Sequence, residues 1–306
     1  MARDFVDLDA KLYTKKGKVF DQFRFFNEFE ILEMRLEILW DYVDKFIITE
    51  SRFTHSGIPK ELNFKNNIRR YSKYQSKIIY NVIEDIPKDF TSFTIKKPYS
   101  LNFSKIDPNS NQPFILNSLS YQREAYERDR QVQGILSLDA ATISDDDILI
   151  LSDIDEIPNP KIFNSTDWIE ANKVYACNQR AYLYKLNLLY QENWTGSRIF
   201  RMSYLKSGEK SFHEIHAYTS EYSFIKEGGW HFSWMGGVDR FREKLAAFPE
   251  SDTFNTEATR INANQIIKNR LDPLGRPINL IRVEINEDFP KYIQSNQEKY
   301  SEMIIG

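Results

Sequence analysis

The sequence predicts an α/β fold, with a parallel sheet in the first half of the chain and a mixed or antiparallel sheet in the second. Between residues 19 and 151 the predicted elements follow the order strand, helix, strand, strand, helix, strand, which is typical of parallel sheets. After residue 170 the segments alternate and are rich in aromatic residues, which indicates mixed or antiparallel strands. The 306 residues are enough for one large domain or two small ones.

Apolar spacing predicts the elements of the first half. Leu32, Leu36 and Leu39 recur every three or four residues, which predicts a helix with one buried face. Asn27, followed by Glu30 three residues later, predicts a capping box at the start of this helix. The other predicted elements are the strands Val19–Phe26, Lys45–Glu50, Lys77–Ile83 and Ile148–Leu151, and the helix Tyr121–Leu138.

The second half is predicted to contain three strands and two helices before a polar tail. The strands are predicted over Val174–Tyr190, Arg198–Tyr204 and Gly228–Gly237, and the helices over Asp239–Phe248 and Thr256–Leu271. We therefore expect a first half at about residues 19–160, a second half at about residues 161–271 and a tail at residues 272–306.

Composition excludes several classes of protein. The net charge of −3 gives no general basic field, so no nucleic-acid partner is expected. Cys177 is the single cysteine, which excludes an internal disulfide and a cysteine zinc site and fits a reducing, cytoplasmic setting. No apolar run is long enough for a transmembrane span. The basic residues of Lys65–Lys77 suggest either a solvated face or a peripheral contact at a membrane surface.

Carboxylates follow the most apolar predicted strand. Ile148–Leu151 is a continuous apolar run, and Asp153, Ile154 and Asp155 follow it directly as an Asp-x-Asp segment. Ligands of open α/β sheets bind at the carboxyl ends of such strands. Residues two apart in an extended chain point the same way, so both carboxylates are expected to face one ligand. Oxygen donors of this kind suit Mg²⁺ or Mn²⁺ bridging a diphosphate, and the alternative is a turn or a helix cap.

The histidines offer one further metal-ligand candidate. His231 lies between Trp230 and Phe232, so in a strand it faces away from both rings. The alternative is a histidine that is buried for structural reasons. His213 and His216 are three residues apart, a spacing that gives only a weak indication of a metal site.

Arginines of the predicted helix Tyr121–Leu138 suggest phosphate binding. Arg123, Arg128 and Arg130 lie on this helix, and a guanidinium group binds phosphate through two parallel hydrogen bonds. The alternative is a solvated helix face on which these cations pair with neighbouring carboxylates.

Several segments resemble known enzymes. Their order along the chain is the same as in family 17 glycosyltransferases, which include the β-1,4-mannosyl-glycoprotein β-1,4-N-acetylglucosaminyltransferases. The similar segments are Phe20–Leu39 with Val43–Glu50, Gly57–Phe64, Ser152–Pro158 and Gly229–Gly237. The resemblance implies a GT-A type fold, with a Rossmann-like nucleotide-binding half at about 19–160 and a mixed-sheet acceptor half at about 161–271.

The resemblance also implies a reaction and its participants. It implies a metal-dependent, inverting transfer of N-acetylglucosamine or a related hexose from a nucleotide sugar, UDP-linked, to a glycan or glycolipid. Asp155, Asp153 and His231 would bind the Mn²⁺ or Mg²⁺ ion, and Glu50 and Ser51 would lie near the nucleotide base. The residues expected to bind the nucleotide sugar are Glu50, Ser51, Arg123, Arg130, Asp153 and Trp230.

An inverting transfer needs one general base beside the acceptor hydroxyl. Asp239, Glu250 and Asp252 follow the His231 strand and are the candidates. The residues also allow two other functions. A strand followed by Asp-x-Asp is also found in haloacid-dehalogenase-like phosphatases, in which the first aspartate is the nucleophile. The third possibility is a non-catalytic carbohydrate-binding protein on the same fold.

Overall fold

Ten strands of the described residues form one mixed sheet. The structure is a computed structural model that describes residues 5–6, 16–87, 118–217 and 222–306, the first pair by backbone alone. The strands are β1 (Phe5–Val6), β2 (Val19–Arg24), β3 (Lys45–Ser51), β4 (Ile78–Ile83), β5 (Ile148–Asp153), β6 (Glu156–Pro158), β7 (Val174–Leu183), β8 (Leu188–Arg201), β9 (Ser223–Ser233) and β10 (Ile281–Arg282).

Helices of four to twelve residues flank this sheet. They are α1 (Phe29–Leu39), α2 (Asn63–Asn66), α3 (Leu119–Arg130), α4 (Val132–Leu136), α5 (Met202–Ser207), α6 (Phe212–Ala217), α7 (Gly237–Ala247), α8 (Ser251–Phe254), α9 (Glu257–Ile261), α10 (Ala263–Lys268) and α11 (Lys291–Ser295). Short 3₁₀ segments lie at Ile68–Lys77, Ala140–Thr142, Pro160–Asn164 and Ser301–Met303.

The first half contains the predicted parallel sheet. Its strands lie in the order β5, β2, β3, β4, and each pair of neighbours is parallel. Apolar side chains cover both faces, with Phe23 and Ile48 in one core cluster and Phe20 and Ile47 in another. Because all four strands run the same way, their carboxyl ends meet at one edge of the sheet.

The second half contains the predicted mixed strands. β8 pairs antiparallel with β5 and with β7, while β9 pairs parallel with β7. Hydrogen bonds therefore continue across residue 160 from one half to the other. The proposed boundaries at residues 160 and 271 stay predictions.

Several predicted elements are interrupted. The helix predicted over Tyr121–Leu138 is two helices, α3 and α4, which meet at Gln131. The strand predicted over Val174–Tyr190 ends at Leu183, because Tyr184 adopts a positive φ of 68° and turns the chain. The strand predicted over Arg198–Tyr204 is the end of β8, followed by α5. Thr256–Leu271 likewise divides into α9 and α10 at Asn262.

The predicted capping box at Asn27 and Glu30 is wrong. α1 begins at Phe29, its N-cap residue is Glu28, and no side chain caps its first turn. The Glu28 carboxylate instead accepts hydrogen bonds from the backbone N–H groups of Phe26 and Asn27, at 3.1 and 3.0 Å. The Asn27 side chain donates to Glu243, so it is used in a tertiary contact.

The segment after residue 271 packs against the sheet. β10 pairs antiparallel with β8, and Phe289, Ile293 and Met303 are buried in the core. Its polar composition suggested a tail, because the few apolar residues are widely spaced along it.

The basic stretch Lys65–Lys77 is partly used within the protein. Arg70 and Lys73 form ion pairs with Glu30 and Glu37 of α1. Lys77 donates to two backbone carbonyl oxygens at the end of that helix. These contacts favour a structural role over a membrane contact. In the described part of the chain, none of the helices is long and apolar enough to cross a membrane.

Candidate functional site

A cleft of about 1130 Å³ opens at the carboxyl edge of the parallel strands. The ends of β2, β3 and β5 supply Arg24, Ser51 and Asp153 to one wall. The opposite wall comes from β8, β9, α6 and α7. This volume is slightly above the usual range of about 300 to 1,000 Å³ for small-molecule sites, so the cleft has room for two substrates.

The Asp-x-Asp segment rests on a buried arginine of α1. Arg35 is fully buried and forms a two-fold ion pair with Asp21 of β2. Its guanidinium also donates to Ser152 Oγ at 2.6 Å. Three further acceptors are backbone carbonyl oxygens around the segment, those of Asp153, Ile154 and Glu156 at 3.2, 3.1 and 2.8 Å. One side chain therefore fixes the path of the backbone that presents both carboxylates.

Asp153 lies against two arginines. Arg24 Nη2 and Arg128 Nη2 donate to its Oδ1 at 2.9 and 3.0 Å, and both also contact Glu124 Oε1. Burial opposes ionisation of Asp153, but Arg128 and Arg24 hold its pKa well below the usual range. The carboxylate is therefore ionised at neutral pH. Of the predicted phosphate-binding arginines, Arg128 lines the cleft.

Asp155 is paired with a histidine and a lysine. His231 Nε2 lies 3.5 Å from Oδ1, and Lys244 Nζ lies 3.4 Å from Oδ2. Burial opposes the charge, but Lys244 and His231 lower the pKa of Asp155 to about 2. Burial would lower the pKa of His231, and the neighbouring Asp155 carboxylate outweighs it and raises that pKa.

The predicted orientation of His231 is confirmed. Its imidazole lines the cleft, whereas Trp230 and Phe232 lie in the core on the other face of β9. Trp230 donates its indole N–H to the Asp288 carbonyl at 2.8 Å. The structure therefore does not bring Trp230 to the cleft.

A second group of side chains that can bind a metal ion was indicated only in part by the sequence. The ligand atoms of Asp153, Glu156 and His216 all lie within 4.8 Å of one another. His216 belongs to α6, and burial together with Arg128 and Arg198 holds its pKa well below 6.5, so the ring is neutral. Burial and the Asp153 charge raise the pKa of Glu156. The one sequence signal for Glu156 is its position beside the Asp-x-Asp segment.

These donors suit the divalent cation that the sequence predicts. Carboxylate oxygens are ligands for both Mg²⁺ and Mn²⁺, and a neutral imidazole nitrogen suits the transition metal better. His216 or His231 would supply that nitrogen, and Asp153, Asp155 or Glu156 the oxygen atoms.

Four of the six predicted nucleotide-sugar residues do not line the cleft. Among the six, Ser51 and Asp153 line it. Glu50 is buried and accepts hydrogen bonds from the Phe64 backbone N–H and the Tyr80 hydroxyl. Arg123 donates to the His55 carbonyl at 3.3 Å, and Arg130 donates to the Tyr126 hydroxyl at 3.0 Å.

One of the three predicted general bases lines the cleft. Glu250 is half-buried in the cleft wall and is hydrogen-bonded to the Tyr121 hydroxyl. The Asp239 side chain is 94% exposed on α7, outside the cleft. Asp252 is exposed and accepts a hydrogen bond from Ser120 at 3.1 Å. The sequence alone could not separate these carboxylates, because all three follow the same strand closely.

Other residues that line the cleft belong to no sequence motif. His55 Nε2 lies 3.2 Å from Arg24 Nη1 and 3.1 Å from Glu127 Oε2. The Trp194 ring lies 4.5 Å from the His231 ring at an angle of 31°. These residues come from separate loops and strands, so only the folded chain brings them together.

Comparison with protein families gives one match. The model of glycosyltransferase family 17 matches residues 8–271. No curated protein matches the chain. The matched region contains the whole Asp-x-Asp segment, α6 and the His231 strand.

Proposed function

The chain belongs to glycosyltransferase family 17, and we propose that it moves N-acetylglucosamine or a related hexose from a UDP-linked donor to a hydroxyl group of a glycan or glycolipid. The observation that carries this proposal is the placement of two ionised carboxylates, Asp153 and Asp155, in a cleft at the carboxyl edge of a parallel sheet. Family membership favours a transferase over the phosphatase and the non-catalytic alternatives.

We propose a GT-A type arrangement for the fold. The four parallel strands, of which β5 leads into the Asp-x-Asp segment, support this assignment, together with β8 antiparallel to β5. In this arrangement the nucleotide lies over the ends of β2, β3 and β4. Thr49, Ser51 and Ile83 line that end of the cleft.

The donor diphosphate is proposed to lie near the cations around the Asp-x-Asp segment. Arg24 and Arg128 face Asp153, and Lys244 faces Asp155, so three cations surround this point of the cleft. Arginine binds phosphate through paired hydrogen bonds, and lysine acts as a point charge. A bound Mn²⁺ or Mg²⁺ ion would add charge neutralisation for the leaving diphosphate. The sequence predicts Asp153, Asp155 and His231 as the ligands of this ion. Glu156 and His216 are two more side chains of the cleft that could coordinate it.

We propose direct displacement with inversion. The acceptor oxygen forms a bond to the anomeric carbon while the bond from that carbon to the diphosphate oxygen breaks. Glu250 takes the proton of the acceptor hydroxyl, because it is the one predicted base in the cleft wall. Trp194 offers an aromatic face for a sugar ring beside His231.

Calorimetric titration of UDP tests the proposal. The titration is made with and without Mn²⁺ on the wild type and on Asp153→Ala, and then repeated with GDP, CMP and dTDP. We expect UDP binding that depends on Mn²⁺ and is weakened in Asp153→Ala. If none of the nucleotides binds under any of these conditions, the nucleotide-sugar proposal is wrong.

A further inference from the structure

We propose that Asp153, Glu156 and His216 form the cation-binding centre of the cleft. This assignment rests on the proposed function, since it names the metal ligands of the same site. It replaces two of the three ligands predicted from the sequence, Asp155 and His231.

The first argument is the geometry of the three ligand atoms. Among the described residues, this is the group of three metal-ligand side chains whose ligand atoms all lie within 4.8 Å of one another. Asp153 Oδ2 and His216 Nε2 are 3.9 Å apart. Metal–ligand bonds are about 2.1 Å long, so two ligands of one ion lie about 3 to 4.2 Å apart. The side chains therefore need only small movements to bind one cation.

The second argument is that the two carboxylate oxygen atoms of Asp153 have different partners. Its Oδ1 accepts the shorter hydrogen bonds, from Arg24 at 2.9 Å and from Arg128 at 3.0 Å. Its Oδ2 is 3.4 Å from Arg128 Nη2 and faces His216. The arginines therefore orient the carboxylate and leave Oδ2 for a cation, as hydrogen bonds to a metal ligand commonly do.

The third argument is that the other two ligands are also held in place. Trp194 Nε1 donates to Glu156 Oε1 at 2.9 Å. Arg198 Nη2 donates to the His216 carbonyl at 2.7 Å, which fixes the end of α6. The start of α6 is fixed by Asp129, which accepts from the His213 backbone N–H at 2.6 Å. The hydrogen bond to Glu156 is of the kind that commonly orients a metal ligand, and the two contacts of α6 fix the backbone that carries His216.

The fourth argument is charge. Asp153 and Glu156 are adjacent carboxylates, and a hard dication relieves their mutual repulsion. Asp155 contributes one carboxylate, and its oxygen atoms face His231 at 3.5 Å and Lys244 at 3.4 Å. Both sites face cations, Lys244 at Asp155 and Arg24 and Arg128 at Asp153. The Asp153–Glu156 group is the better cation site because it offers a second carboxylate.

Titration of the full chain with Mn²⁺ alone tests the assignment. The electron paramagnetic resonance signal of free Mn²⁺ is followed without nucleotide, so the readout does not depend on activity. We expect His216→Ala and Glu156→Gln to weaken Mn²⁺ binding at least tenfold. His213→Ala is the matched control, since it removes an imidazole of the same helix and cleft. It should change the affinity less than threefold, as should His231→Ala.

A pulsed measurement on bound Mn²⁺ identifies the nitrogen ligand. The nitrogen coupling of an imidazole should be present in the wild type and in His231→Ala, and absent in His216→Ala. Thermal unfolding checks that each variant is folded, and His216→Gln replaces His216→Ala if the latter is not.

Two results would overturn the assignment. One is nitrogen coupling that survives in His216→Ala and is lost in His231→Ala. The other is a wild-type chain that binds no Mn²⁺ at millimolar concentration. The proposed function fails separately, if the protein binds Mn²⁺ as expected but neither binds nor turns over any nucleotide sugar.

Discussion

Arg35 and Asp21 form an ion pair with no solvent exposure beneath the Asp-x-Asp segment. Arg35 Nε lies 2.8 Å from Asp21 Oδ2, and Nη2 lies 2.6 Å from Oδ1. The remaining donors of the guanidinium hold Ser152 and the carbonyl oxygens that follow β5. Helix α1 therefore determines the shape of the cleft floor, although it contributes no side chain to the cleft surface.

Replacing Arg35 should destabilise the fold. Arg35→Met leaves the Asp21 carboxylate buried without its partner, which costs about 3 to 5 kcal/mol. Urea unfolding measures the free energy of unfolding. Arg70→Met is the matched control, because Arg70 forms a partly exposed pair with Glu30 and should cost less than about 1 kcal/mol. Equal effects of the two variants would show that the buried pair does not organise this region.

Glu250 should be required for the transfer step. Glu250→Gln keeps the size of the side chain but cannot accept the acceptor proton, so kcat should fall about 10²- to 10⁴-fold. UDP affinity, measured by calorimetry, should change little because the base acts on the acceptor hydroxyl and not on the nucleotide.

Two other variants serve as controls for Glu250. Asp239→Asn and Asp252→Asn remove the predicted bases that do not line the cleft. Both should keep kcat within about twofold of the wild type. If one of them loses activity while Glu250→Gln retains it, Glu250 is not the base.

Asp129 should make the fold less stable as the pH rises. Burial raises the pKa of Asp129 to about 7 in the folded chain, against a usual value near 3.8. Between these values the folded chain keeps a proton that the unfolded chain has lost. The free energy of unfolding therefore falls by up to about 1.4 kcal/mol per pH unit as the pH rises from about 4 to 7.

Asp129→Asn should remove this contribution. Urea unfolding of the wild type and the variant at about pH 5 and pH 7 gives the difference between them, in which the titration of other groups cancels. The wild type should lose about 1 to 3 kcal/mol relative to the variant over this range. Asp239→Asn is exposed and should follow the wild type. Parallel curves for the wild type and Asp129→Asn would refute the raised pKa.

Local patterns predicted the parallel strands and the Asp-x-Asp segment. Apolar runs mark buried strands, and the two aspartates are near neighbours in the sequence, so neither feature depends on distant parts of the chain. Asp153 and Asp155 lie in the cleft as expected, and His231 faces it. The sequence indicated His216 only weakly, through its spacing from His213, since its neighbours Asp153 and Glu156 belong to β5 and β6, more than fifty residues earlier in the chain. Trp230 was predicted to bind the nucleotide sugar, but alternation along β9 directs its ring into the core.

Glu50 should stabilise the fold and leave nucleotide binding unchanged. Its carboxylate accepts hydrogen bonds from the Phe64 backbone N–H at 3.1 and 3.2 Å and from the Tyr80 hydroxyl at 2.8 Å. Glu50→Gln replaces one acceptor oxygen by an amide group, which leaves a buried donor unpaired and should cost about 1 to 3 kcal/mol. Urea unfolding measures this cost, with Glu61→Gln as the exposed control.

Calorimetry should give the same UDP affinity for wild type and Glu50→Gln, because Glu50 does not line the cleft. A variant of unchanged stability that binds UDP at least tenfold more weakly would instead support the nucleotide contact predicted from the sequence.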